Sequence, residues 1–158
     1  MAIDPSNGSV FGSESLNNRI QKFTHTGDFI LSWGNYCLSD GHFMQPYGVA
    51  VDKNGSVFVS DDSPRIQKFT NEGSFITSWG TIGSGVGQFG CGSLIALDST
   101  GNVFATDTCN NRIQEFTNDG VLTATRIRTS AAAVAPIQER RTGLLATPSR
   151  ADSTSAIV

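Results

Sequence analysis

One phrase, repeated three times, limits what this chain can fold into more than any other feature. Asn17-Asn18-Arg19-Ile20-Gln21-Lys22-Phe23-Thr24 returns as Pro64-Arg65-Ile66-Gln67-Lys68-Phe69-Thr70, and again as Asn110-Asn111-Arg112-Ile113-Gln114-Glu115-Phe116-Thr117. Arg19, Arg65 and Arg112 stand 46 and 47 residues apart. A fixed period of this size marks a repeat architecture, in which each unit buries its faces against its neighbours. Trp33 recurs as Trp79 and Phe43 as Phe89, while Thr26-Gly27 recurs as Glu72-Gly73 and Asp119-Gly120.

The middle copy reads as four strands. Residues 48–52, Gly-Val-Ala-Val-Asp, form a short apolar run that suits a buried strand, and Lys53-Asn54-Gly55 turns the chain back. Residues 56–60, Ser-Val-Phe-Val-Ser, are β-branched and aromatic. After Asp61-Asp62-Ser63-Pro64, residues 65–70 alternate as a half-exposed strand, with Ile66 and Lys68 on one face and Gln67 and Phe69 on the other. Asn71-Glu72-Gly73 turns again into a fourth strand, residues 75–79. Four antiparallel strands repeated in this way describe a β-propeller blade, its first strand near the central channel and its last near the rim. The period falls nearer the WD40 range of roughly 40–45 than the kelch value of about 50, yet the Gly-His and Trp-Asp signatures of WD40 are missing.

Residues 45–52, Gln-Pro-Tyr-Gly-Val-Ala-Val-Asp, with Gly55, Val57-Phe58-Val59, Asp61 and Arg65 to Phe69, resemble the NHL repeat; Gly101 to Asp107 running into Asn110–Gln114 resembles it more closely still. The resemblance covers roughly residues 2–123. It implies an all-β fold, a partial NHL-type β-propeller of about three four-stranded antiparallel blades from a ring that usually has six. Expected blades span 1–36, 46–80 and 92–125, within one unit over 1–125. The resemblance also implies a recognition surface for proteins or RNA, a few relatives being enzymes.

The copies depart from one another. Gly92-Ser93-Leu94 replaces Pro46-Tyr47-Gly48, Arg126 falls at the tryptophan position of the third copy, and no later residue matches Phe43 or Phe89. Only the end of a first strand survives at Met1-Ala2-Ile3-Asp4. Three blades make half a ring and leave two apolar faces uncovered, which act as assembly or aggregation surfaces. The chain is expected to be a fragment of a longer propeller, poorly soluble or self-associating in isolation, with pairing of two arcs as the alternative. Residues 126–158 turn to Ala, Ser, Thr and Arg without an aromatic, and are expected to be an irregular, disordered tail. A sequence read past its coding register, or a basic tail docked on the acidic arc, would look the same.

Residues 1–125 hold twelve acidic and six basic side chains, a net −6, which argues against binding nucleic acid. No apolar stretch approaches the roughly 18 residues of a membrane span, and localisation is not legible. Cys37, Cys91 and Cys109 are odd in number and ignore the repeat, so they are expected to be buried or incidental thiols rather than a disulfide framework or zinc site. Each repeat arginine has an acidic residue upstream: Glu14 for Arg19, Asp61 for Arg65, Asp107 for Arg112. Their recurrence marks them as ion pairs that fix each loop rather than a ring that captures ligand, because a binding site uses unlike residues from different blades. Asp4, Asp52 and Asp98 each precede a turn and are expected to cap it rather than hold a cation. His25 and His42 form no HExxH, no Gly-x-Ser-x-Gly elbow exists, and the glycines of residues 83–87 precede no helix. No catalytic, metal-binding or cofactor residue is assigned. The expected role is a non-catalytic binding or scaffold module that recognises protein or peptide through propeller loops and mouth. The alternative is a piece of a propeller hydrolase or lyase whose catalytic residues lie in other blades.

Overall fold

A computed structural model describes residues 1–127. Twelve strands form three separate sheets, each a four-stranded antiparallel meander in chain order. The first blade holds β1 (Ala2–Ile3), β2 (Val10–Glu14), β3 (Arg19–Phe23) and β4 (Phe29–Trp33). The second holds β5 (Gly48–Val51), β6 (Val57–Ser60), β7 (Ile66–Phe69) and β8 (Phe75–Trp79). The third holds β9 (Ile95–Leu97), β10 (Val103–Asp107), β11 (Arg112–Phe116) and β12 (Leu122–Ile127). The strands of blade two fall within the expected segments. β12 runs two residues past the boundary set at 125, and the remainder of the expected tail lies outside the described residues.

Turn chemistry explains the meander. Gly55, Gly73, Gly101 and Gly120 all have positive φ, the conformation that glycine alone adopts without cost. In the outer hairpin of every blade the register slips by one residue, at Lys22/Phe23, Lys68/Phe69 and Glu115/Phe116. Such a bulge adds local twist to the ribbon. The same registers pair Ile20 with Trp33, Ile66 with Trp79 and Ile113 with Arg126, so Arg126 occupies the tryptophan place in blade three.

Two cores lie between blades, not within them. Phe11, Ile20 and Phe43 meet Val49, Val57, Val59 and Phe69 across the first junction. Phe58, Ile66 and Phe89 meet Val103, Ala105 and Phe116 across the second. Trp33 stacks on Phe69 with ring centroids 5.8 Å apart, and Trp79 on Phe116 at 6.0 Å. Each blade therefore has a donor face, carrying the tryptophan in blades one and two and Arg126 in blade three, and an acceptor face, which receives the tryptophan in blades two and three.

Strand three of blade two was expected to be half exposed, but all four residues of β7 are buried. Blades one and three cover both its faces. In β3 only Ile20 and Lys22, on the donor face, are buried, and in β11 only Gln114 and Phe116, on the acceptor face. Period-2 alternation survives where one neighbour is missing and vanishes where both are present.

The cysteine expectation is also corrected. Cys91 and Cys109 form a disulfide with Cα atoms 5.7 Å apart, while Cys37 is free and exposed. The bond ties the loop before β9 to the 3-10 turn Thr108–Asn110. In blade two the corresponding loops are joined by a main-chain hydrogen bond, Asp62 N–H to the Met44 carbonyl at 2.7 Å. The disulfide thus reinforces a contact the repeat already makes, in one copy only.

Candidate binding face

The repeated arginines belong to a clasp. In blade three Arg112 Nε donates to Asp107 Oδ2 at 2.6 Å, and its two Nη atoms donate to the carbonyls of Ser84, Gly85 and Gln88 at 2.9, 2.6 and 2.6 Å. Gln114 Nε2 donates to the same Gln88 carbonyl at 2.7 Å, while its Oε1 accepts the Gly87 N–H at 2.9 Å. Asp107 accepts the Gly90 N–H at 2.9 Å. One Asp-Arg-Gln set on blade three therefore grips the main chain of the loop arriving from blade two.

Blade two repeats the arrangement on the loop arriving from blade one. Arg65 donates to the carbonyls of Leu38, Ser39 and His42, and Gln67 donates to His42 and accepts from the Gly41 N–H. Arg65 is slacker toward its acid, with Nη2 lying 3.5 Å from Asp61. The connection before it differs: it is one residue shorter than in blades one and three, and its last residue is Pro64. Asn18 and Asn111 precede Arg19 and Arg112 in the left-handed conformation (φ 53 and 52), closing a 3-10 turn. Pro64 stands there in blade two and its ring forbids positive φ, so that turn is missing between β6 and β7. Burial pushes the Asp61 carboxyl above its usual range, against the Ser63 hydroxyl, the Met44 N–H and Arg65.

Blade one has the clasp without a loop in it. Arg19 Nε donates to Glu14 at 2.5 Å and Gln21 Nε2 donates to the same oxygen at 2.6 Å. Hydrogen bonds from Arg19 and Asn17 hold the Glu14 carboxyl below its usual range. The Arg19 side chain is 41% exposed, against 8% for Arg112.

Beside this open clasp lies a cavity of about 450 Å³ lined by Val10, Gly12, Phe23, His25 and Gly27 among others. These are the acceptor-face positions that correspond to Val57, Val59, Phe69, Asn71 and Gly73 in blade two. Gly73 lies so close under Trp33 that an added Cβ would come within 2.7 Å of the indole, and Gly120 is likewise 2.6 Å from Trp79. At Gly27 an added Cβ would meet nothing within 4 Å, so this tryptophan seat is vacant.

The turn aspartates do more than cap. Asp52 Oδ1 accepts the N–H groups of Asn54 and Ser56, as expected. Its Oδ2 accepts from Asn118 of the next blade at 2.9 Å, and Lys68 Nζ donates to Asn118 Oδ1 at 2.5 Å. The first junction has the same staple: Asn71 Nδ2 donates to Asp4 at 2.7 Å while Lys22 Nζ donates to Asn71. Asp98, exposed at the turn after β9, is held at about 2 by hydrogen bonds from the Thr100 hydroxyl and from Asn102. The sequence shows the pattern of these residues; their partnership across 49 and 66 positions needs the fold. Among the described residues no group of three or more His, Cys, Asp or Glu side chains could hold a metal ion, and no helix is long and apolar enough to cross a membrane.

Residues 95–116 match the family described as NHL repeat. Solved structures with the same fold include a streptogramin B lyase, 19% identical over 90% of this chain and 54% of its own, with a TM-score of 0.60. A catalytically inactive virginiamycin B lyase from Staphylococcus aureus, solved with quinupristin, is 24% identical over 80% of this chain and 40% of its own, TM-score 0.59. A protein of unknown function from Bacteroides caccae is 14% identical over 81% of this chain and 44% of its own, TM-score 0.54. The chain spans about half or less of each of these structures. No curated protein sequence matches it.

Proposed function

Taking the chain as a partial NHL-type β-propeller, we propose that it is a non-catalytic binding module whose recognition surface is the acceptor face of blade one. The observation that carries this reading is the open clasp of Glu14, Arg19 and Gln21 beside a vacant aromatic seat. Its two counterparts hold main-chain carbonyls of a glycine-containing loop, and each adjoining seat holds a tryptophan. The open site therefore suits a polypeptide segment that presents an aromatic side chain, followed by an extended loop with free carbonyls. A planar guanidinium with several donors in fixed geometry is well matched to such carbonyls. The likeness to the lyases is one of fold.

The test uses a peptide of residues 79–89, the chain's own tryptophan-and-loop segment, titrated into the full chain by calorimetry. Saturable binding is expected, weakened about tenfold or more by Arg19→Ala, the loss of one good hydrogen-bonding anchor. A scrambled peptide binding equally well, or Arg19→Ala binding as wild type, would overturn the assignment.

A further inference from the structure

The two outer faces of the arc differ from the inner junctions at matching positions, and they differ in complementary ways. At each inner junction an asparagine of the later blade sits between a lysine and an aspartate of the earlier one: Asn71 between Lys22 and Asp4, Asn118 between Lys68 and Asp52. On blade one the asparagine position is His25. It lies over Gly8 as Asn71 lies over Gly55 and Asn118 over Gly101. On blade three the lysine position is Glu115, while the aspartate persists as Asp98.

We propose that the acceptor face of blade one receives the donor face of blade three from a second copy of this chain, His25 of one copy entering between Glu115 and Asp98 of the other. This rests on the acceptor face of blade one described above and names as its occupant a surface that presents Arg126 in place of the aromatic. The chemistry of the staple is inverted as a set. An asparagine accepts from lysine and donates to aspartate, whereas an imidazolium donates from both nitrogens and needs two acceptors. A protonated histidine facing the lysine of an inner junction would leave donors opposed, and an asparagine whose amide N–H group stays on Asp98 would turn its Oδ1 toward the Glu115 carboxylate. Each outer face is thus matched to the other and mismatched to the inner ones, which is how specific interfaces exclude wrong pairings.

The surrounding positions fit the same docking. Arg126, which pairs with Glu115 at 3.4 Å, occupies the tryptophan place and would lie over Gly27 and the Phe23 ring, an arginine–aromatic contact. Ile113, 42% exposed, corresponds to the buried Ile20 and Ile66 and faces the hollow that Gly12 leaves where blade two has Val59. The contact is heterologous, and two such contacts close a ring if each arc subtends half of it. Self-association, expected from the uncovered apolar ends, would here be directed by matched charge. The seam lacks a counterpart of Phe43 and Phe89, so it is expected to be weaker than the inner junctions and concentration-dependent.

Sedimentation equilibrium of the full chain tests this. Wild type is expected to move from 16.8 kDa to twice that mass as concentration rises. Dimerisation should tighten on lowering the pH, because an imidazolium offers a donor to each of the two facing carboxylates. The charged groups around His25 in the seam are Asp98, Glu115 and Arg126 across it, with Asp28 and the Met1 amino group on its own blade. His25→Asn and Glu115→Lys should each weaken the dimer about tenfold at the lower pH, and the double variant, which rebuilds the inner staple, should recover it and lose the pH dependence. The two positions lie on opposite outer faces of one arc, so such coupling requires a second copy. Glu115→Gln serves if Glu115→Lys does not fold, and is expected to weaken the dimer in the same direction. A monomer at every concentration, a ladder of larger species, or additive losses in the double variant would overturn the proposal. Peptide binding sensitive to Arg19 in a chain that stays monomeric would sink this inference and leave the binding face standing. Dimerisation that the His25 and Glu115 variants modulate, with no peptide binding at concentrations where the chain is monomeric, would leave this inference standing and sink the peptide-recognition reading.

Discussion

At the scale of single residues, the same arginine has a different value in each blade because its surroundings differ. Arg112 is nearly buried against an Asp107 that is fully so, and it satisfies three loop carbonyls. Removing it takes the cation from a buried carboxylate that keeps only the neutral donors Gly90 N–H, Asn110 and Gln114, and takes one donor from each of three loop carbonyls. Arg112→Ala is therefore expected to lower stability by about 1–3 kcal/mol in urea unfolding. Arg19 forms an equally short pair with Glu14, but an exposed one with no loop to hold. Arg19→Ala should cost less than about 1 kcal/mol in the same measurement. Equal losses would mean that the ion pair alone, not the loop, carries the stabilisation. The recurrence of Glu14, Asp61 and Asp107 before the arginines was legible in the sequence, because a repeat prints its local contacts at nearly constant spacing, five residues in blades one and three and four in blade two. The loop carbonyls were not, since main-chain acceptors have no letter in the sequence. Nor was the disulfide: Cys91 and Cys109 occur in one copy, and Cys37 made the count odd.

Among elements, the outer hairpins of blades two and three are shaped by the indole of the blade before each. Gly73 and Gly27 both have positive φ (81 and 96), so alanine at either should cost about 1–2 kcal/mol in backbone strain alone. Only at Gly73 would the new methyl also run into Trp33. In dilute protein, Gly73→Ala is expected to exceed Gly27→Ala by about 1–3 kcal/mol in thermal or urea unfolding, the usual penalty of overpacking. Equal effects would show that the indole yields without cost. Strand existence and order were readable from alternation and turn residues in blade two, where four runs stand between Gly and Asn-Gly turns. Exposure was not readable there. Alternation reports two chemically different faces, but a blade between two neighbours buries both, and Gln67 and Lys68 are buried by virtue of hydrogen bonds to adjacent blades. Pro64 was visible as a break, yet what accompanies it, a missing turn and a slackened Arg65, appears only when the three copies are superposed.

For the whole molecule, stability should be graded by position in the arc. Blade two has both faces covered, whereas Phe23, Ile113 and the exposed face of Glu115 mark the outer sides of blades one and three. In stacked repeats each unit draws stabilisation from its neighbours. Amides of β6 and β7 are therefore expected to exchange slowest with deuterium, and those of β3 and β11 measurably faster, at concentrations where the chain is a monomer. Uniform protection across the three sheets would mean that the arc opens only as a unit. The clasps give the arc a direction as well. Residues 38–42 are gripped by Arg65 and Gln67, and residues 84–88 by Arg112 and Gln114, so each loop is secured by side chains that lie later in the chain. On the ribosome, then, blades one and two each leave the exit tunnel with the trailing loop unfastened. It is locked only when the next blade has emerged, and assembly advances one way, like a zip whose slider is the most recently made strand.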